Sequence, residues 1–347
     1  MVDFSQAVLR KLIIHKVGNK LLEEPVVLSN LAIDVEAQEE LSTILKSYFL
    51  SHFKEPVFYH FHHVSSLEFN EIYTISGELF ESTRGFVKRS KEIAQILYEY
   101  SNHPKIKAGE IYIAMIDDCN INGELTDVLG IFKSENKDTF LKTSEDEESI
   151  LVNFDNGVNI KKLDKGCLVF NTSSDEGYRV MLIDTQGNTE AQYWKDEFLK
   201  LKPVSDNYYH TQQYLNLAKG FVTERLDDDF EVTKADQIDY LNRSIDYFKK
   251  NEQFNEQDFA SAVFEHTEVI KSFKRFKNEF QAENDLRFVS EFDISSPAVK
   301  SQTKVFKSVL KLDRNFHVYI HGNKDLIERG VDDDGRKFYK LYYNEES

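Results

Sequence analysis

GEIYIAMIDDCNINGELTDVLGIFKS, residues 109–134, decides the fold. Two strand-like runs, Glu110–Ile116 and Leu125–Ser134, flank the dipeptide Asn122-Gly123. Asn-Gly tolerates the positive φ that a tight hairpin needs at both central positions. Three more short apolar runs follow at Ile150–Phe154, Cys167–Asn171 and Tyr178–Asp184, separated by the turn signals Asp155-Asn156-Gly157, Lys165-Gly166 and Glu176-Gly177. Gaps this short cannot hold the crossovers that parallel strands require, so the spacing predicts an antiparallel meander. The acidic stretch Glu145–Glu148 is read as a solvated loop within it.

Upstream, Gln6–Val17 alternates enough to read as a strand. Asp34 is a plausible cap for a helix to about Phe53, with Leu41, Ile44, Leu45, Tyr48 and Phe49 as its apolar stripe. Helices near Glu68–Glu81 and Arg84–Ser101 follow a loop rich in His and Phe, and Asn102-His-Pro104 stops the second. Downstream, helices are expected at Glu190–Leu201, Tyr208–Arg225, Lys234–Lys250 and Glu256–Phe280. The last of these places Phe259, Val263, Ile270, Phe273 and Phe280 on one face. Ser296-Pro297 is a helix-start signal. Val305–Leu312, Phe316–His321, Leu326–Val331 and Arg336–Tyr343 then read as strands joined by Asp313–Asn315 and Asp332–Gly335. The expected fold is α+β: an α+β domain with an antiparallel meander over 1–205, a helical region over 206–285 and a small C-terminal β unit over 286–347.

The chain of 347 residues is 41% hydrophobic, with 27 Phe and 17 Tyr against 5 Pro and 3 Met, which suits a globular core rich in aromatic rings. Met1-Val-Asp-Phe lacks the charged and apolar regions of a signal peptide, and no run approaches the roughly 18 apolar residues of a membrane span. Cys119 and Cys167 lack C-x-x-C spacing and read as reduced, partly buried thiols. A cytoplasmic protein is expected. The net charge of −17 argues against indiscriminate contact with phosphate. A DNA binder with this balance must segregate its cations into a stripe, and taken alone the composition favours a protein that does not touch DNA.

Several segments carry a family pattern. They are Leu12-Ile-Ile-His15, the Leu28-Ser29 step before a long helix, Gly109-Glu-Ile-Tyr-Ile113, Leu129-Gly-Ile-Phe-Lys133, Val180-Met-Leu-Ile-Asp184, Ala191–Leu199 with its closing Phe-Leu pair, and Leu310-Lys-Leu-Asp313. In this order the chain resembles, over nearly its whole length, the bacterial nucleoid-associated protein family of the NdpA/YejK type. The resemblance implies a nucleoid location, DNA binding and self-association. It supplies no functional residues, so sites must be sought in the residues themselves.

Lys300, Lys304, Lys307, Lys311 and Arg314 stand against one acid, Asp313, over residues 300–314. On a helix Lys300, Lys304 and Lys307 share a face; on a strand Lys307 and Lys311 do. Either arrangement could track a line of phosphates, and the alternative is a solvated face or an edge strand guarded by lysines. Lys271, Lys274 and Arg275 form a second candidate, set against ordinary solubilising charge, and Lys88, Arg89 and Lys91 a third. His60, His62 and His63 invite a metal, but nothing nearby completes a zinc-type set, and an exposed aromatic loop is the simpler reading. Asp227–Asp229 and Asp332–Asp334 lack the alternation of a calcium loop. Asp117 and Asp118, read as leading into a turn, and Asp127 lack the acid-x-Lys spacing of a metal-dependent nuclease.

No nucleophile-elbow, P-loop or Rossmann signature occurs, and 14 glycines in 347 residues leave little for phosphate-cradling loops. The reading is a non-enzymatic nucleoid protein without cofactor or metal. It would bind double-stranded DNA with little sequence preference, meet other nucleoid proteins, have no membrane role and form a homodimer. Its rivals are an acidic adaptor of the nucleoid with little direct DNA contact, and a divergent metal-dependent nuclease.

Overall fold

A computed structural model describes residues 2–347 except 36, 55–56, 122, 148, 186–192, 285, 304–305, 307–308, 314, 321–325, 344 and 346–347. The chain divides into two compact units, Met1–Val204 and Ser205–Ser347, and its fold class is α+β.

The first unit is organised by one sheet. Its elements are β1 (Val2–Asp3), β2 (Val8–Val17), α1 (Glu39–Leu50), β3 (Tyr59–Phe61), α2 (Glu71–Glu81), α3 (Phe86–Tyr100), β4 (Gly109–Ile121), β5 (Glu124–Ser134), β6 (Lys137–Asp146), β7 (Ser149–Val158), β8 (Lys165–Phe170), β9 (Arg179–Asp184) and β10 (Leu201–Pro203). The sheet runs β1-β4-β5-β8-β9-β3-β10, with β2 also on β4, and its pairings are antiparallel. β4 is buried on both faces, which is why it reads as the unbroken apolar run Ile111–Ile116 and not as an alternation. Ile111, Ile113 and Met115 join Ile72, Leu79, Ile93 and Leu97 of α2 and α3 in one apolar layer. Tyr112, Ala114 and Ile116 join Tyr48, Phe49 and Leu50 of α1 in the other. Phe49 stacks on Phe132 of β5, ring centroids 4.2 Å apart.

The meander is therefore present as β4-β5-β8-β9, but Ile150–Phe154 does not belong to it. That segment lies in β7, which pairs with β6 in a separate two-stranded ribbon inserted between β5 and β8. Lys137–Asp146 holds only two apolar residues, Phe140 and Leu141, so β6 left no periodic signal. Residues 145 and 146 end a strand and do not lie in a loop. Asp117 and Asp118 likewise stay within β4, at a bulge where Asp118 takes φ 56° and Asp117 accepts from Arg10 Nε at 2.7 Å. His62 and His63 stay in a loop, but Tyr59–Phe61 of the His-Phe stretch forms the short strand β3. It reaches the sheet because Gly177, at φ 93°, lets the backbone pass so close to Phe61 O that a Cβ would lie 2.4 Å from it. α1 begins at Glu39, since Asp34 spends its carboxylate on the N–H of Ala37 in a preceding turn. Cys119 and Cys167 are free thiols and fully buried, deeper than expected; burial pushes Cys119 up to about 12 and Cys167 up as well.

The expected helix over 190–201 is a π-helical turn, Tyr193–Phe198, that buries Trp194 and Phe198; Leu201 is already in β10, and residues 190–192 lie outside the described residues. The second unit holds α4 (Asn207–Gly220), a π-helical continuation at Phe221–Arg225, α5 (Leu226–Asp229), α6 (Lys234–Lys250), β11 (Gln253–Asn255), α7 (Glu256–Phe264), α8 (Thr267–Asn284), β12 (Glu291–Asp293) and α9 (Ser296–Thr303). Two hairpins follow, β13 (Val309–Leu312) with β14 (Phe316–Tyr319), and β15 (Ile327–Val331) with β16 (Lys337–Leu341). The core is aromatic: Phe254, Phe259, Phe264 and Phe273 are almost wholly buried with Tyr214, Phe221 and Phe248.

The continuous helix expected over 256–280 is broken at Glu265, which takes φ 56°. Phe264 and Phe273 are nine residues apart, so a straight helix would set them about 180° apart. The break turns both rings into one core, 4.7 Å between centroids. Among the described residues no helix is long and apolar enough to cross a membrane.

One buried group couples the core of the first unit to pH. His15 of β2 accepts the N–H of Ser29 at Nδ1, 3.0 Å, and its Nε2 lies 3.0 Å from Ser90 Oγ, which itself donates to Val87 O at 2.8 Å. That pattern assigns the proton to Nε2 of a neutral ring. Burial, aided by the charge of Lys91, pushes its pKa down to about 4 from the ordinary 6.5. The unfolded chain thus takes up a proton that the folded chain refuses. Stability is full above pH 6.5 and falls by about 3 kcal/mol as pH drops toward 4. Denaturant titrations across that window should give a steeper loss for the wild type than for His15→Gln; parallel losses would contradict this.

Candidate nucleic-acid interface

In the second unit, cations come together at a cleft where α6 ends beside α9. α6 starts at a reciprocal cap, with Thr233 Oγ1 accepting from Asp236 N and the Asp236 carboxylate accepting from Thr233 N. It ends in Lys249 and Lys250, favourably placed at the negative end of the helix dipole. α9 starts at Ser296-Pro297, as the sequence predicts, and buries Ala298 and Val299. Between the two helices lies a cleft of about 530 Å³. Lys249, Lys250 and Lys300 line it, with the hydroxyls of Ser296 and Thr303, one acid, Glu252, and an apolar floor of Phe248, Ile294 and Val299.

Its charge is only weakly answered from within. Lys249 and Lys250 share one carboxylate, Asp246, each at 3.9 Å, while Lys300 is exposed and has no ion pair among the described residues. Lys249 and Lys250 were not singled out by the sequence. Their only signal is a basic pair closing a helix, and nothing in sequence separation places them opposite Lys300. Of the rest of the 300–314 stripe, Lys304, Lys307 and Arg314 lie outside the described residues. Lys311 is placed in β13 opposite His317, and its side chain is likewise outside.

On α8 the cations are largely spoken for. Lys271 pairs with Glu268 at 2.9 Å, and Arg275 with Asp229 at 2.8 Å, a carboxylate that also accepts from Ser272. Lys277 bridges to Glu256 at 2.6 Å, half-buried between α7 and α8. Lys274 alone is exposed without an ion pair among the described residues. A phosphate arriving here would have to displace resident carboxylates. Arg89 is held by Glu78 and Glu92, and Lys91 donates to Asn30 at 2.6 Å. That helix also borders a groove of about 620 Å³ walled by Glu68, Glu71, Glu92 and Glu99, so its surroundings repel anions. His60 and His63 make local contacts, with Phe61 O and the Ser65 N–H. Among the described residues no group of three or more His, Cys, Asp or Glu is placed to hold a metal ion.

One polar cluster escaped the sequence altogether. Lys133 of β5 and Lys165 of β8 stand side by side in register, both almost wholly buried. Lys133 Nζ donates to Lys107 O at 2.7 Å, to Glu135 Oε1 at 2.8 Å and to the Tyr193 hydroxyl at 3.1 Å. Lys165 Nζ donates to Asp184 Oδ1 at 2.7 Å, and both ammoniums lie over the Tyr193 ring. Burial pulls the Lys133 pKa down against the opposing charge of Glu135, and pushes that of Tyr193 up. Each lysine ends an apolar run, Leu129–Lys133 or Lys165–Phe170, so the sequence offers it as the wet end of a strand.

A family model described as nucleoid-associated protein YejK matches residues 13–336. Searches of curated proteins and of solved structures return no match.

The buried pair makes a stability prediction. Lys133→Met leaves the Glu135 carboxylate buried without its cation, which costs about 3–5 kcal/mol. Adding Glu135→Leu should recover most of that loss in denaturant titrations. A double variant no more stable than the single one would contradict the role given to this ion pair.

Proposed function

The chain belongs to the nucleoid-associated protein YejK family, and we propose that it works in the cytoplasmic nucleoid by binding double-stranded DNA directly, without catalysis and with little sequence preference. The observation that carries this reading is the cleft between α6 and α9, where Lys249, Lys250 and Lys300 converge with little resident carboxylate to neutralise them. Lysine offers phosphate a mobile point charge and no base-reading geometry, which suits sequence-tolerant contact. Ser296 adds a hydroxyl that can meet the same phosphates, whereas the Thr303 hydroxyl is already donated to Val299 O. In this reading Lys304, Lys307, Lys311 and Arg314 also meet phosphates. Lys271, Lys274 and Arg275 contribute less, because two of the three are already paired.

A second reading is favoured by that ion pairing together with the net charge of −17. In it the protein is an adaptor that meets nucleoid proteins and touches DNA weakly.

One titration separates them. Fluorescence anisotropy with a labelled duplex at several salt concentrations should give a log–log plot that falls steeply. Replacing Lys249, Lys250 and Lys300 together by Gln should weaken binding and flatten that slope by roughly 3 units, about 0.9 for each lost phosphate contact. Absent binding at low salt favours the adaptor. Binding with an unchanged slope would place the contact elsewhere.

A further inference from the structure

The groove between α2 and α3 has no part in the DNA reading. Its lining belongs to those two helices and to the short turn Leu67–Phe69 that leads into α2. The buried stripes of the helices, through Ile72 and Leu79 and through Ile93 and Leu97, go to the core. The flanks left over meet in a trough of about 620 Å³ with an apolar floor of Ile75, Ile96 and Tyr100. Its rim is Glu68, Glu71, Glu92 and Glu99, and among the described residues no Lys, Arg or His lines it. Glu92, Ile96, Glu99 and Tyr100 recur at helical spacing, so the trough follows α3 for two turns, about 12 Å. Cations of the chain reach it from outside: Glu92 meets Arg89 and Lys88, Glu99 meets Lys20, and the Lys200 ammonium lies 5.3 Å from the centre of the Tyr100 ring. Glu68 and Glu71 are exposed and have no ion pair among the described residues. Phe69, next in the chain to Glu68, holds its ring in water at 64% exposure, so uncovered apolar surface adjoins the rim.

We propose that this groove docks a basic amphipathic helix of a partner protein. Apolar side chains of that helix cover Ile75, Ile96 and Tyr100, and its Lys or Arg residues meet Glu68, Glu71 and Glu99. The lining itself selects the occupant. Carboxylates around an apolar floor reject a phosphate backbone or an anionic lipid surface and attract a cation. A bare cation has no use for the floor, and among the described residues no group of three or more His, Cys, Asp or Glu is placed to hold a metal ion. An extended peptide would find no sheet edge to take up its N–H and C=O groups, because the walls are helical. A helix satisfies its own backbone and offers a stripe of apolar side chains at i, i+3 or i+4 and i+7, flanked by cations. Two turns of such a helix match the length of the trough. The net charge of −17 speeds the encounter with a basic partner.

The proposal stands apart from the DNA reading, since no residue of the α6–α9 cleft takes part in it. The probe is a labelled peptide of Leu and Lys in amphipathic helical order, about four turns long, titrated with the full chain and followed by fluorescence anisotropy. Binding should saturate and weaken as salt is added. Glu68→Lys with Glu71→Lys should raise the dissociation constant roughly tenfold or more, and so should Gln95→Arg, which sets a cation in the trough. The thermal melt should be nearly unchanged, because these three side chains are exposed. Glu145→Lys with Glu147→Lys makes the same change of net charge at the tip of the β6–β7 ribbon and should leave binding as it was. A peptide with Ser in place of Leu should bind roughly tenfold more weakly, since it leaves the floor wet. Absent binding, indifference to the groove variants, or equal loss from both charge-reversed pairs would overturn the proposal. So would equal binding of the Ser peptide, which would reduce the rim to a site for counter-ions.

Discussion

In β4 the side chains of Ile111, Ile113 and Met115 enter one apolar layer while Tyr112, Ala114 and Ile116 enter the other. Full burial of one such side chain contributes about 1.5–3 kcal/mol, so a strand with two buried faces is where both layers must agree. The position of α1 on one side, and of α2 and α3 on the other, follows from that double demand. So does the bulge at Asp118, which lets a strand of this length continue past the covered part of the sheet and still pair through Ile121. The neutral His15 and the buried Lys133–Lys165 pair lie in the two strands that flank β4 and in the next one out. The sheet therefore places polar groups where water cannot reach them, and each is satisfied by specific partners.

The second unit solves the same problem with rings. Tyr214, Phe221, Phe254, Phe259, Phe264 and Phe273 make edge and tilted contacts that a straight helix over 256–280 could not have gathered. The positive φ at Glu265 is the local cost of that gathering, of the order of 1 kcal/mol. Folding thus draws on the abundance of Phe and Tyr that the composition displays.

How far the sequence speaks depends on whether a signal is local. Asn122-Gly123 and Ser296-Pro297 act within a few residues, and β5 and α9 stand where those signals put them. β6 was illegible because its side chains face water on both sides and need no alternation. β3 was illegible because its partners, β9 and β10, are more than a hundred residues away. The broken α7–α8 helix went unread because the stripe through Phe259 and Phe273 omits Phe264, about 140° off it. For the interface, Lys300 could be read from local charge density, whereas Lys249 and Lys250 could not, since only the packing of α9 beside α6 brings them near. The pairing of Arg275 with Asp229 was equally hidden, and it lowers the standing of a cluster that looked promising as a string of letters.

An acidic chain can meet an acidic polymer only where its cations are both gathered and unopposed. The α6–α9 cleft comes nearer to that condition, with Asp246 and Glu252 beside its three lysines, whereas the cations of α8 and the start of α3 are held by carboxylates at closer range. Backbone hydrogen exchange of the full chain, with and without a saturating DNA duplex at low salt, tests this most directly. The account predicts slowed exchange in the last turn of α6 through Glu252 and across Ser296–Thr303, with little change in α2 and α3. Protection confined to the first unit, or none anywhere under conditions where DNA is bound, would contradict it.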